Sequence, residues 1–171
     1  MDTLFTLGHG SLQGDVFATT LRAAGAVCAV DVRRFPGSRR HPQFGEPEMR
    51  RWLAPIAYRA MPALGGRREP LPESRNGALR NSGFRGFADY MATPGFRAAF
   101  DDLIAFARER PAAIFCAETL WWQCHRRLIA DAAVLLAGMN VVHLTPATRA
   151  SHVLTPGVRR DGDILVYEGA S

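Results

Sequence analysis

Two cysteines eight positions apart, each beside groups that carry protons or hold anions, are the most chemically suggestive feature of the sequence. Cys116-Ala117-Glu118 is followed by Thr119 to Gln123 and then by Cys124-His125-Arg126. Cys124 is expected in the first turn of a helix, where backbone N–H groups and a nearby Arg or His favour a thiolate. Cys116 or Cys124 is then the nucleophile, Glu118 or His9 the proton carrier, and His125 and Arg126 contribute to anion binding. A structural reading competes, with Cys116 buried and Cys124 and His125 capping the helix. A metal reading has these three soft ligands and His9 as a fourth. The eight-position step is not a usual zinc spacing, however, and no metal ligand set is assigned. Haem attachment fails because Trp121 stands where its first Cys would be.

Charge points to an anionic partner. All 21 basic residues are Arg, and the formal net charge is +5. The stretch from Arg33 to Arg97 holds 13 Arg against 5 acids, whereas the rest of the chain is net acidic. Arginine binds phosphate and carboxylate through paired N–H donors, so a nucleotide or nucleic acid is the expected partner. Arg33, Arg39 and Arg67 are expected to hold the anion, with Asp31 orienting an arginine or a ribose hydroxyl. Gly8-His9-Gly10-Ser11 resembles a phosphate-cradling loop in which Ser11 adds a hydroxyl. The dinucleotide fingerprint itself fails, since its third glycine would fall on Gln13. Trp121 and Trp122 are candidates to stack on a base or to plug the core.

These groups need a scaffold that brings them together. At 171 residues, 47% hydrophobic and 22% charged, the chain fits a single domain, residues 1–171, with a real core. Leu4 to Leu7 reads as a strand, Val16 to Ala24 as a helix ended by Gly25, and Ala26 to Val32 as a buried parallel strand. Residues 33–92 read as an Arg-rich insertion of loop and short helix (Glu48 to Leu53) over the C-terminal ends of the strands. Thr93-Pro94 opens a helix. Ala112 to Cys116 is the next strand, and Leu128 to Leu136 a further helix closed by Gly138. Val141 to Leu144 follows as a strand, and Ile164 to Tyr167 as an edge strand. The expected fold is α/β, a three-layer arrangement with a mostly parallel sheet flanked by helices. In such sheets ligands bind beyond the carboxyl ends of the strands, where His9, Asp31, Arg33 and Cys116 would meet. No apolar run reaches bilayer length and no leader pattern opens the chain, so a cytoplasmic setting is expected. His-Glu-x-x-His, Walker, nucleophile-elbow and zinc-finger patterns are missing, which removes several enzyme classes.

Thr6-Leu7-Gly8-His9-Gly10, Asp31-Val32-Arg33, Ser38-Arg39, Pro42, Phe44, Tyr58 and Leu64-Gly65-Gly66 occur in that order. Phe87-Ala88-Asp89-Tyr90-Met91, Cys116-Ala117-Glu118 and Cys124-His125-Arg126 continue it. Together they resemble the domain-of-unknown-function 488 family from about Thr3 to Leu144. The resemblance implies an intracellular α/β protein whose motifs, Tyr90 included, belong to one site; it implies no reaction. Gly10 stands where the family carries Ser, with Ser11 as the nearest substitute. The leading expectation is a Cys-dependent enzyme acting on a phosphate-bearing substrate. The alternatives are a non-catalytic nucleic-acid-binding module and a thiol redox or metal-binding protein. The sequence leaves the cofactor and the oligomeric state open.

Overall fold

The computed structural model describes residues 2–169. Its frame is a six-stranded sheet built from β1 (Thr3–Gly8), β2 (Cys28–Asp31), β3 (Ala57–Ala60), β4 (Ala112–Cys116), β5 (Asn140–Leu144) and β6 (Arg149–Ser151). The strand order is β3-β2-β4-β1-β5-β6. All neighbours are parallel except β6, which runs antiparallel to β5 at one edge. The expected α/β class with a mostly parallel sheet is what the chain adopts.

Strand side chains alternate between the two faces, and that alternation sorts the core into two layers. Ala29, Ala113, Phe115 and Leu7 face α1 (Gly14–Ala23) and α2 (Glu46–Trp52), packing on Phe17, Leu21, Met49 and Phe44. Leu4, Val30, Ile114 and Cys116 face the opposite side. That side is covered by α3 (Ser82–Met91), α4 (Pro94–Glu109) and α5 (Arg126–Leu135). The helix ends follow local chemistry. The Thr93 hydroxyl accepts from Phe96 N–H ahead of Pro94, and Gly25 and Gly138 take positive φ just beyond α1 and α5.

Three elements depart from the sequence expectation. The segment 33–92 does not simply lie over the sheet: its β3 pairs with β2 and extends the sheet by one strand. That strand is short and half-exposed at an edge, so it lacks the apolar run that marks β2. Helix α3 carries Gly83 and Gly86, which lower helix propensity, and it is held by its Asn81 cap and by packing of Phe87 and Met91. Ile164–Tyr167 does not edge the main sheet. As β8 it pairs with β7 (Val158–Asp161) in a separate hairpin that sends Leu165 and Tyr167 into the core.

Candidate active site

Because β2, β4 and β1 are consecutive in the sheet, their C-terminal ends open into one crevice of about 380 Å³. His9, Arg33, Arg67, Cys116, Glu118, Cys124 and His125 all line it. The expected convergence of strand ends is therefore present. A side chain on Gly8 would overlap the Glu118 carbonyl oxygen, so glycine is what lets β1 pass the loop after β4 so closely.

Cys116 closes β4, while Cys124 precedes α5 by two residues rather than sitting in its first turn. Both are nearly inaccessible, at 3% and 2% exposure, and their sulfurs are in disulfide-forming contact. Cys28, the remaining cysteine, is buried and free, and burial raises its thiol pKa. The Cys124 sulfur also accepts from Arg126, from the backbone N–H at 3.5 Å and from Nε at 3.4 Å. His125 places Nδ1 3.6 Å from the same sulfur. Its Nε2 lies 2.9 Å from the Val32 carbonyl, which only accepts, so Nε2 carries the ring proton and Nδ1 presents its lone pair. Burial lowers the His125 pKa to about 4, with Val32 opposing and Arg126 adding to the shift, so the ring is neutral at pH 7. The two sulfurs and a His125 ring nitrogen lie within 4.8 Å of one another, a set of donors that could hold a soft metal ion.

Two arginines are buried beside this crevice, and they are compensated differently. Arg33 donates from Nε and Nη2 to Asp31 at 2.8 and 2.6 Å, and Tyr58 donates its hydroxyl to the same carboxylate at 2.5 Å. Burial, followed by the bond to Asp31, pushes the Tyr58 hydroxyl well above its ordinary range. Arg126 is 1% exposed and makes no ion pair with a carboxylate among the described residues. It donates to the Cys124 sulfur, to Thr6 Oγ1 at 3.3 Å and to the Glu118 carbonyl at 2.6 Å. Burial lowers its pKa to about 10 against the pull of Glu118, so it remains a cation at pH 7.

His9 is 2% exposed, stacks on Phe44 at 4.2 Å, and donates from Nδ1 to the Gly10 carbonyl at 2.9 Å. Its Nε2 faces Arg33 at 3.5 Å. Burial lowers its pKa to about 4, with the Gly10 bond opposing and Arg33 contributing, which makes it a weak base at pH 7. Glu118 is exposed on the crevice wall. Arg67 adopts φ 59, the left-handed region rarely taken by residues other than glycine, and its carbonyl accepts from Arg34 at 2.7 Å.

Three expected anion ligands lie elsewhere. Ser11 and Arg39 are exposed and lie outside the crevice lining. Tyr90 donates its hydroxyl to the Ala63 carbonyl at 2.6 Å and lies under the Arg68 guanidinium, so it braces a loop. Asp31 is saturated by Arg33 and Tyr58 and acts by orienting Arg33. The tryptophans do not form a paired platform, because Trp121 stacks on His143 at 4.0 Å and only Trp122 is well exposed. Surface charge is also tempered, since Arg50, Arg51, Arg59, Arg75 and Arg97 of the basic stretch pair with acids.

Sequence reading missed a buried chain of polar groups behind Arg126. Asp131 Oδ1 accepts from His152 Nε2 at 2.8 Å, so His152 offers Nδ1 to His143 Nε2 at 2.9 Å. His143 Nδ1 in turn takes the Thr6 hydroxyl at 2.7 Å, and the Thr6 oxygen accepts from Arg126. Every donor has an acceptor only if His143 is neutral. Burial, then His152 and Arg126, lower its pKa to about 3. Tyr167 and the Thr155 N–H complete the shell of Asp131, each at 3.0 Å. The signal was present as polar residues on inward positions of apolar elements: Thr6 in β1, His143 in β5 and Asp131 in α5.

A family profile described as "Domain of unknown function DUF488" matches residues 14–133, well over half of the chain. No curated protein and no solved structure matches the chain significantly.

Proposed function

The chain belongs to the DUF488 family, and because that membership carries no reaction, we propose one from the crevice: thiol chemistry on a substrate that bears an anionic group such as phosphate. Arg126 is the observation that carries this reading. A buried cation without a carboxylate partner is costly unless another anion compensates it, and the anion-forming atom it donates to is the Cys124 sulfur. In the reduced protein Cys124 is therefore the nucleophile, and its thiolate is the counter-ion of Arg126.

Contact between the two sulfurs favours a redox form of this chemistry. The Cys124 thiolate attacks a substrate disulfide, forming a mixed disulfide and releasing one substrate thiolate. Cys116, as thiolate, then attacks the Cys124 sulfur and expels the second, leaving the Cys116–Cys124 bond. Arg67 and Arg34 on the rim would receive the anionic group, and Glu118, which lines the same crevice, would accept the Cys116 proton.

The test uses reduced protein and a small carboxylate-bearing aromatic disulfide. The proposal expects two aromatic thiols released per chain, with the internal disulfide formed. Cys116→Ser should release one and stop at a stable mixed disulfide on Cys124. Release that is unaffected by Cys124→Ser in a folded variant would remove the reading. A nucleoside monophosphate that slows the reaction by competition would identify the anionic group as phosphate.

A further inference from the structure

We infer that the reduced crevice is a soft-metal site, in which Cys116 Sγ, Cys124 Sγ and His125 Nδ1 bind a zinc-class divalent cation and leave its fourth position open to the crevice. The inference rests on the proposed thiol site for its consequence, which is that the bound ion silences that site.

The geometry begins with the three donor atoms, all within 4.8 Å of one another. A tetrahedral zinc ion, with bonds of about 2.3 Å to sulfur and 2.0–2.1 Å to nitrogen, holds such donors about 3.6 Å apart. The distance from His125 Nδ1 to the Cys124 sulfur is 3.6 Å. The sulfurs themselves must separate once their bond is reduced, by rotation of side chains at the ends of two different elements.

The histidine is also oriented as a ligand. A metal-binding imidazole commonly donates its other N–H to a carbonyl or carboxylate, which fixes the tautomer and aims the lone pair. Val32 supplies that carbonyl at 2.9 Å. Gly66 leaves the coordinating edge clear, because a Cβ there would approach Nδ1 to 3.0 Å. Arg126 already donates two N–H bonds to the Cys124 sulfur, which hold that sulfur in place beside the histidine.

The open position follows from the lining of the crevice, which contains all three ligands. Three protein ligands and one exchangeable position is the arrangement of a site that meets small molecules rather than of a closed structural site. Binding displaces the thiol proton of Cys116, since Cys124 is already a thiolate. Oxidation by a substrate disulfide, which leaves as two thiolates, takes one electron from each cysteine thiolate, removes both anionic ligands and releases the ion, so metal occupancy and the disulfide exclude each other.

The experiment starts from protein reduced with a water-soluble phosphine, which takes up the oxygen of one water as the disulfide becomes two thiols. After anaerobic desalting, the protein is titrated with zinc ion against a chromophoric chelator, and separately with cobalt ion. One equivalent should bind, and cobalt should give a thiolate charge-transfer band with the visible bands of tetrahedral coordination. Cys124→Ser should weaken binding by about 100-fold or more and His125→Gln by at least about tenfold, while Cys28→Ser changes nothing. Oxidised protein should bind none. No stoichiometric binding by reduced wild-type protein, or a cobalt spectrum without thiolate bands, would overturn the inference, and neither reading depends on a variant folding. Metal binding without mixed-disulfide chemistry would remove the proposed function alone. The chemistry without binding would remove only this inference.

Discussion

Arg33 and Arg126 are both buried at the same end of the sheet, yet one is closed in on a carboxylate and the other on a sulfur. Asp31 precedes Arg33 by two residues, so a single turn of chain delivers both charges, and Tyr58 from the edge strand β3 donates to the same carboxylate oxygen that accepts from Arg33 Nη2. Arg126 draws its partners from β1, from the loop after β4 and from the residue two before it. The difference teaches which charge can act on a ligand. Arg33 is neutralised within the fold, whereas Arg126 has no ion pair among the described residues, only the more distant pull of Glu118, and its Nε is directed at the Cys124 sulfur.

Breaking the Arg33 pair should have the largest effect. Asp31→Asn leaves a buried guanidinium uncompensated and should cost roughly 3–5 kcal/mol, read from urea unfolding. A loss under about 1 kcal/mol would mean that Arg33 is not closed in as described. Acid separates the two networks next. His143, on which the Arg126 chain depends, has a native pKa lowered to about 3, whereas an unfolded histidine titrates near 6.5. Between those values the unfolded state binds more protons, so stability is full above about pH 6.5 and falls as the pH drops toward 3, by a few kcal/mol in total. His9 and His125, lowered to about 4, add to the same fall, so His143→Gln should reduce the slope without abolishing it, and an unchanged slope in that variant would place the titration elsewhere.

Tyr58→Phe removes one bond to Asp31 and should cost about 2 kcal/mol without changing Cys124 reactivity. A change in Cys124 reactivity would show that the two arginine networks are coupled. The smallest effect on stability, within about 1 kcal/mol, is expected for Arg67→Gly, since glycine accepts the left-handed backbone that arginine holds under strain. The same substitution should weaken binding of a nucleoside monophosphate, measured calorimetrically, whereas Arg39→Ala should leave it unchanged. Equal losses in both variants would move the anion seat out of the crevice.

Much of the frame was legible because its signals are local. The apolar runs of β2 and β4, the Thr93-Pro94 start of α4 and the glycines after α1 and α5 each carry their own physical cause. Elements stabilised from a distance were not legible. Edge strand β3 owes its pairing to β2, and α3 tolerates two glycines because tertiary packing holds it. In the site, Cys116, Cys124, His125 and Arg33 were readable as reactive types near strand ends. Ser11, Arg39 and Tyr90 lie outside the crevice lining, because a turn's direction and a hydroxyl's partner are set by the fold. The chain from Thr6 to Asp131 joins residues up to 137 positions apart, so no local pattern announces it.

That the Arg126 charge serves the Cys124 sulfur can be tested directly in reduced protein at pH 7. Iodoacetamide labelling of Cys124, resolved by mass spectrometry from Cys28 and Cys116, should be at least about tenfold slower in Arg126→Met than in wild type. Arg126→Lys, which keeps the charge, should recover part of the rate. Equal Cys124 rates in wild type and a folded Arg126→Met protein would contradict the account.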